Sequence, residues 1–321
     1  MDTPTPPSEP RELHRQTLLG IACADALGAA TEFRSAAEVA QQWTPADFDD
    51  FQPGSPFGFA PGEATDDSQM VVAHLLRPDD PGAGYRQWLA TGPADVGNLT
   101  RQALDSSAFE AWEASGRDSA GNGGLMRVAA CFLTGARGED LLARAVADTT
   151  TTHVDPRCVL ASLVLVSTMD RLAEGEDYPV AVTAALEAVR RADVAALVEA
   201  TGTVPAPLVD GYRTPGPAFA AIGQATMAGM AGAPGPQSGY VVHTLQQALR
   251  FGAAESWQEG IVPVVMAGDD SDTTAAVTAA LLGAKGLRPP ESLAQRVRLG
   301  ASWPGWEREW LLHEHLDSLL G

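Results

Sequence analysis

Met266–Gly286 reads MAGDDSDTTAAVTAALLGAKG, and the interpretation of the whole chain turns on it. Three acids (Asp269, Asp270, Asp272) and three hydroxyls (Ser271, Thr273, Thr274) crowd together before the sequence turns to small apolar residues. A Ser/Thr/Asp cluster ahead of an Ala/Leu/Val run predicts a helix N-terminus. That end of a helix carries partial positive charge and unsatisfied N–H groups, so carboxylates are tolerated there. One Asp suffices as a cap, however, and a D-x-D-T run at a helix mouth points to a held cation. The arrangement returns at Thr65-Asp66-Asp67-Ser68, ahead of the helix-period segment QMVVAHLLR. If the two helix starts meet, Asp66, Asp67, Asp270 and Asp272 bring four carboxylates together, and Thr65 and Thr273 add neutral oxygens. Carboxylates within about 4–6 Å raise one another's pKa, so an empty site of this kind takes up protons or springs apart. All-oxygen ligation suits Mg2+, Mn2+ or Ca2+ better than zinc or copper. Four acids and two hydroxyls exceed the needs of one ion, which points to two. Two ordinary capped helices that never touch would carry the same letters.

The formal net charge is −20, and a single Lys (Lys285) accompanies twenty Arg. That balance argues against general nucleic-acid or anionic-membrane binding, which needs a basic face. It also means that any phosphate-bearing substrate is drawn in by local groups against the overall field. Hydrophobic content of 45% in 321 residues is that of a soluble globular chain with a sizeable core. Cys23, Cys131 and Cys158 are scattered, odd in number and set among apolar residues, as expected of reduced core thiols. No apolar run reaches the length of a membrane span, and MDTPTPPSEPRE lacks the order of a signal peptide. A cytoplasmic protein is expected.

Residues 1–12 read as a disordered, Pro-rich tail, and 13–321 as one domain. Helical periodicity begins near Leu13 and encloses Asp25, an acid among Ala, Leu and Gly that has to be paired, protonated or liganding. Glu32 follows two turns later on the same face. A Gly/Pro loop, Gln52–Gly62, leads into the first acid cluster. Asp95 stands in a loop before the next helix, where a plain N-cap or turn role also suits it. Gly121-Asn122-Gly123-Gly124-Leu125-Met126-Arg127 is a glycine-rich turn opening a helix. Its N–H groups can cradle phosphate with Arg127 as a helper, although most such turns are only turns. His153 and Asp155 sit at the mouth of a helix that is apolar nearly all round, as in the centre of a bundle. Ala181–Ala200 reads as one amphipathic helix with Glu187, Arg190, Arg191 and Asp193 on its wet side. With no alternating strand pattern, the expected architecture is all-α, a compact single-domain helical bundle.

With these stretches in order, the chain resembles the ADP-ribosylglycohydrolase family. The likeness runs through ADALGAATEF (Ala24–Phe33), TDDSQM (Thr65–Met70), GPADVGN (Gly92–Asn98), GNGGLMR (Gly121–Arg127), THVDP (Thr152–Pro156) and DSDTTAA (Asp270–Ala276). The resemblance implies an orthogonal all-α bundle whose central cleft holds a dinuclear Mg2+ or Mn2+ site. The implied ligands are Thr65, Asp66, Asp67, Asp270, Asp272 and Thr273, the set reached from charge crowding. It further implies that Glu32 lies on a flap near the metals, and that Asn122, Gly123, Met126 and His153 line an ADP-ribose cleft. Gly124, Arg127, Asp155 and Asp25 are grouped with that substrate-binding set. The Gly92–Asn98 stretch, with Asp95, is similar to the arginine-type branch of the family. Three departures stand out: Ala24 where Gly is usual, Asp269 where Gly or Asn is usual, and Glu63-Ala64 where an aromatic is common.

The implied activity is hydrolysis of the bond between ADP-ribose and an arginine nitrogen, with ADP-ribosylated protein as partner and ADP-ribose as product. Asp95 or Glu32 is expected to act as general acid/base, and Asp67 or Asp66 could take a water proton instead. An alternative is a module that binds ADP-ribose without turnover, as a sensor or toxin-neutralising protein; the intact ligand set weighs against it. An isoprenoid-synthase-like reading fails because Ser68-Gln69-Met70 follows Asp66-Asp67. An EF-hand fails because Leu281 stands where its twelfth residue requires Glu.

Overall fold

Apolar residues at helical spacing fold as helices throughout residues 10–300 and 310–321, which the computed structural model describes. Nine helices have eleven or more residues among the described residues. They are α1 (Pro10–Gly28), α2 (Asp66–Leu76), α3 (Gly138–Thr150), α4 (Pro156–Ala173), α5 (Tyr178–Arg191), α6 (Pro217–Met230), α7 (Val241–Phe251), α8 (Trp257–Ala267) and α9 (Ser271–Ala284). The all-α expectation holds. The strands among the described residues are Glu63–Ala64 and Arg298–Leu299, a two-residue parallel pair that delivers the chain to Thr65.

Helix α9 occupies the centre, and every residue from Ser271 to Ala284 is buried. Helices α1, α2, α4, α7 and α8 all pack on it, α1 most extensively. The small residues of α9 explain that closeness, because interaxial distance follows side-chain size at the contact. A Cβ added to Gly28 would lie 2.4 Å from the Cα of Asp272, and one on Gly283 would lie 2.7 Å from the Cα of Thr17. The two helices therefore run antiparallel with their backbones nearly touching. The apolar α4 is buried continuously from Cys158 to Met169, as its composition predicts. The three cysteines are buried and free.

Two boundaries differ from the sequence reading. Pro10–Glu12, assigned with the tail, form the first turn of α1; the rest of that tail, residues 1–9, lies outside the described residues. The helix expected over Ala181–Ala200 is broken after Arg191, and a new one runs over Val194–Thr201. Asp193, read as a wet-face residue, causes the break: its side chain accepts from Ala196 N at 3.1 Å as an N-cap.

Candidate functional site

The first turns of α2 and α9 meet. Thr273 Oγ1 donates to Asp67 Oδ2 at 3.2 Å across the two helices, and Thr65 Oγ1 donates to the same oxygen at 3.3 Å. Carboxylate oxygens of Asp25, Asp67 and Asp272 lie within 4.8 Å of one another, as do those of Glu32, Asp95 and Asp272. Two unrelated helix caps cannot account for this, since the acids come from positions about two hundred residues apart.

The turn after α1 brings Glu32 to the cluster. Ser271 Oγ donates to Gly28 O at 3.0 Å and pairs with Thr31 Oγ1 at 2.9 Å. Phe33 N donates to Asp269 O at 2.8 Å, and Asp269 N returns to Arg34 O at 2.7 Å. Gly268, at φ +70°, admits no side chain here: a Cβ would lie 2.1 Å from Arg34 O. Phe33 is held at φ +57° with its ring 68% exposed on the cleft rim.

Seven acids share this floor, and burial is the largest cause of a raised pKa in each: Asp25, Glu32, Asp66, Asp67, Asp95, Asp270 and Asp272. Burial, then Asp95, Asp270 and Asp25, lift Glu32 to about 9. Burial lifts Asp95 to about 6, while a hydrogen bond shared with Asp66 pulls it down. Asp67 rises well above the carboxylate range through burial, then Asp25 and Asp66; Asp272 does so through burial, then Glu32 and Asp67. Among the described residues, no Arg or Lys is a leading influence on any of these seven acids. Two full charges 4.8 Å apart repel by about 3.5 kcal/mol at an effective dielectric of about 20. Asp67 Oδ1 and Glu32 Oε2 are buried with no hydrogen-bond partner. Lone pairs left over on crowded, uncompensated oxygens fit a hard divalent ion.

Above the acids opens a cleft of about 270 Å³. Glu32, Asp66, Asp95, Asp270, Asp272 and Thr273 line one end; Gly121, Asn122, Gly123, Met126 and His153 line the other. Thr65 and Asp67 lie beneath this surface, Asp67 only 1% exposed. Asn122 Nδ2 joins the two ends, donating to Asp270 Oδ2 at 2.5 Å and Thr244 Oγ1 at 2.9 Å. His153 is neutral, its pKa lowered to about 3 by burial and then by Arg127, and its Nδ1 sits 2.7 Å from Thr152 Oγ1. Phe33, Asn98, Leu99, Thr100 and Gly239 also line the cleft and were not singled out from sequence. Phe33 was the legible one, since it follows Glu32 directly; Gly239 sits in a loop with no distinguishing letters.

Four residues grouped with substrate from sequence do not line the cleft. Arg127 is fully buried in an ion pair with Asp148, whose carboxylate is 3.3 Å from its Nε. Asp155 caps α4 through Arg157 N at 2.9 Å and accepts from Trp112 Nε1 at 3.1 Å. Gly124 packs behind the turn, where a Cβ would lie 2.9 Å from Thr149 Cγ2. Asp25 lies below the acids, accepting from Thr65 N (3.0 Å), Ser68 N (3.0 Å) and Ser68 Oγ, so it braces the start of α2. Asp269 faces outward, and Glu63 is buried beside Gly300. A second acid-containing cluster, His74–Cys131–Asp148, already has Arg127 as its cation.

A family model described as ADP-ribosylglycohydrolase matches residues 6–306. The chain belongs to the ADP-ribosylglycohydrolase family. This ADP-ribosylglycohydrolase is 27% identical over 278 residues to the ADP-ribosyl-[dinitrogen reductase] glycohydrolase of Rhodospirillum rubrum, an alignment covering 83% of each chain. Among solved structures it is similar to a chain titled ADP-ribosylglycohydrolase-related protein complex. The TM-score is 0.65 at 27% identity, over 97% of this chain and 96% of that one. Family membership supports a hydrolase acting on ADP-ribosyl groups, and the crowded acids are its candidate metal-binding groups.

Proposed function

We propose that this ADP-ribosylglycohydrolase releases ADP-ribose from arginine side chains of modified proteins, using two divalent ions, Mg2+ or Mn2+. Thr65, Asp66, Asp67, Asp270, Asp272 and Thr273 would hold them. The observation that carries the reading is the meeting of Asp67 and Asp272, with the buried oxygens Asp67 Oδ1 and Glu32 Oε2 left without hydrogen-bond partners. When bound, such ions supply Lewis-acid polarisation and a template for the ribose hydroxyls.

The chain's own residues divide the remaining work. Glu32 and Asp95 present carboxyl oxygens to the same cleft, beside Asp272. Glu32 keeps its proton at neutral pH and Asp95 releases its own more easily, which separates an acid from a base. Glu32 is assigned to protonate the departing nitrogen, and Asp95 to take a proton from the attacking water. Asn122, Gly123, Met126 and His153 are assigned to the ADP-ribosyl moiety, with N–H groups of the glycine turn toward phosphate. The arginine linkage rests on the Gly92–Asn98 stretch and its Asp95. Among the described residues no helix is long and apolar enough to cross a membrane, and a cytoplasmic location is proposed with the three free thiols in mind.

The deciding experiment incubates purified protein and Mg2+ with arginine-, serine- and nucleotide-linked ADP-ribose and follows free ADP-ribose. Release from the arginine conjugate, abolished by a chelator and restored by Mg2+, is expected. Turnover of only the serine or nucleotide conjugate rejects the arginine assignment.

A further inference from the structure

Among the described residues, three residues other than glycine lie at left-handed φ: Phe33, Arg117 and Asp269. Two of them are bonded to each other on the cleft rim, where Phe33 N donates to Asp269 O at 2.8 Å. For a bulky side chain such as Phe that conformation costs free energy, and such residues gather where a site needs them. The fold recovers little from the Phe33 ring, whose aromatic contact is an edge-to-face one with Phe57 at 5.9 Å between centroids, and which stays 68% exposed. Asp269 is exposed too, and its carboxylate forms no hydrogen bond or ion pair among the described residues. Arg34, beside Phe33 in the chain, is engaged elsewhere: Nη1 donates to Gln42 Oε1 at 3.1 Å, Nη2 donates to Gly54 O at 3.2 Å, and Cζ lies 5.3 Å from the centre of the Trp43 ring. Gly or Asn at 269 would meet the same backbone demand, so the conformation does not account for the charge.

The rim adjoins the acid end of the cleft, since Phe33 lines it directly after Glu32. On the proposed reading, ADP-ribose lies toward the glycine turn and the departing nitrogen leaves beside Glu32. The chain carrying that nitrogen therefore leaves the cleft across this rim. The rim also continues outward: Phe57 and Phe59, 6.5 Å apart, line a second hollow of about 310 Å³ with Thr91–Ala94, the stretch that ends next to Asp95. An exposed aromatic ring beside an unpaired carboxylate suits a guanidinium or ammonium group, through cation–π and ion-pair attraction. The formal charge of −20 favours a partner segment of the same cationic kind.

We infer that Phe33 and Asp269 form a specificity subsite for the target protein, taking an Arg or Lys side chain that flanks the modified arginine. The inference deepens the proposed function and rests on it. Three peptides, each with one ADP-ribosylated arginine, test it: one with lysines on both sides of that arginine, one with glutamates there, and one with the same lysines moved to the far end. Wild type is expected to favour the lysine-flanked peptide over the other two by about five- to tenfold in kcat/KM, the worth of an exposed cation–π contact with a surface ion pair. Asp269→Asn keeps the backbone and loses the charge, and Phe33→Leu keeps bulk and loses the aromatic face. Each should cut the preference to about twofold or less, whereas Phe33→Tyr should retain it. Asp269→Asn decides alone if Phe33→Leu does not fold by circular dichroism. Equal turnover of the flanking-lysine and displaced-lysine peptides by wild type overturns the inference, because overall charge then explains any preference. Full preference in folded Asp269→Asn or Phe33→Leu overturns it as well. No release from any arginine conjugate sinks the functional reading and this one with it, whereas release without preference sinks only this one.

Discussion

Gly28 and Asp272 touch backbone to backbone, with room for only a hydrogen where Gly28 would otherwise carry a Cβ. The end of α1 therefore locates the acid-bearing turn of α9, and with it the centre of the site. Gly28→Ala should force the helices apart at a cost of about 3 kcal/mol, the upper range for overpacking against a rigid neighbour. Thermal unfolding checks the stability loss, and calorimetry with Mn2+ should show weaker binding in the same variant. An unchanged melting temperature would show that the crossing is looser than described.

Asp67→Asn removes a charge that the metal-free protein is better off without. Burial, Asp25 and Asp66 all disfavour the Asp67 carboxylate. The chelated variant should be more stable than chelated wild type, by about 1–3 kcal/mol. It should also gain nothing from Mg2+ and lose hydrolysis. Differential scanning calorimetry with and without Mg2+ reads both signs, and a destabilised, Mg2+-responsive variant contradicts the assignment.

The same crowding sets a pH dependence. Folded Glu32 holds its proton to about pH 9, against an ordinary value of 4.5, with Asp95, Asp270 and Asp25 facing it. Between those values the folded chain binds more protons than the unfolded one, so stability falls as pH rises. Each fully held proton contributes a slope of about 1.4 kcal/mol per pH unit. Chelated protein should melt at progressively lower temperature from pH 5 to 9, and Mg2+ should flatten that decline. A melting temperature that climbs with pH in chelator rules the arrangement out.

Asp95→Asn removes none of the six assigned metal ligands, and Asn can keep a hydrogen bond to Asp66 in place of the one Asp95 shares with it. It should lower kcat by about 10²–10⁴-fold, the usual worth of a proton-transfer group, while Mn2+ affinity stays near wild type. Loss of metal binding with kcat intact per occupied site would move Asp95 from proton transfer to ligation.

How much of this was readable in the letters differs from residue to residue. Thr65-Asp66-Asp67 and Asp270–Thr273 announced both helix starts, because acids and hydroxyls satisfy exposed N–H groups. Their meeting was inferable only from the excess of carboxylates over what capping needs. Arg127 was misassigned because a lone Arg after a glycine turn carries no mark of which way it faces; its partner Asp148 is twenty-one residues on, at the end of another helix. Asp25 needed a partner, as expected of a buried acid, yet nothing in the sequence named Ser68 and Thr65 N. Asp193 looked like a wet-face residue because periodicity continues across it, and only its capping bond reveals the break.

Anomalous diffraction from crystals grown with Mn2+ goes straight to the junction of α2 and α9. Two peaks are expected there, each within about 2.0–2.6 Å of oxygens from Asp66, Asp67, Asp270 or Asp272. Density at that junction without any anomalous signal, or Mn2+ bound only at outward-facing acids such as Asp269, would contradict the account.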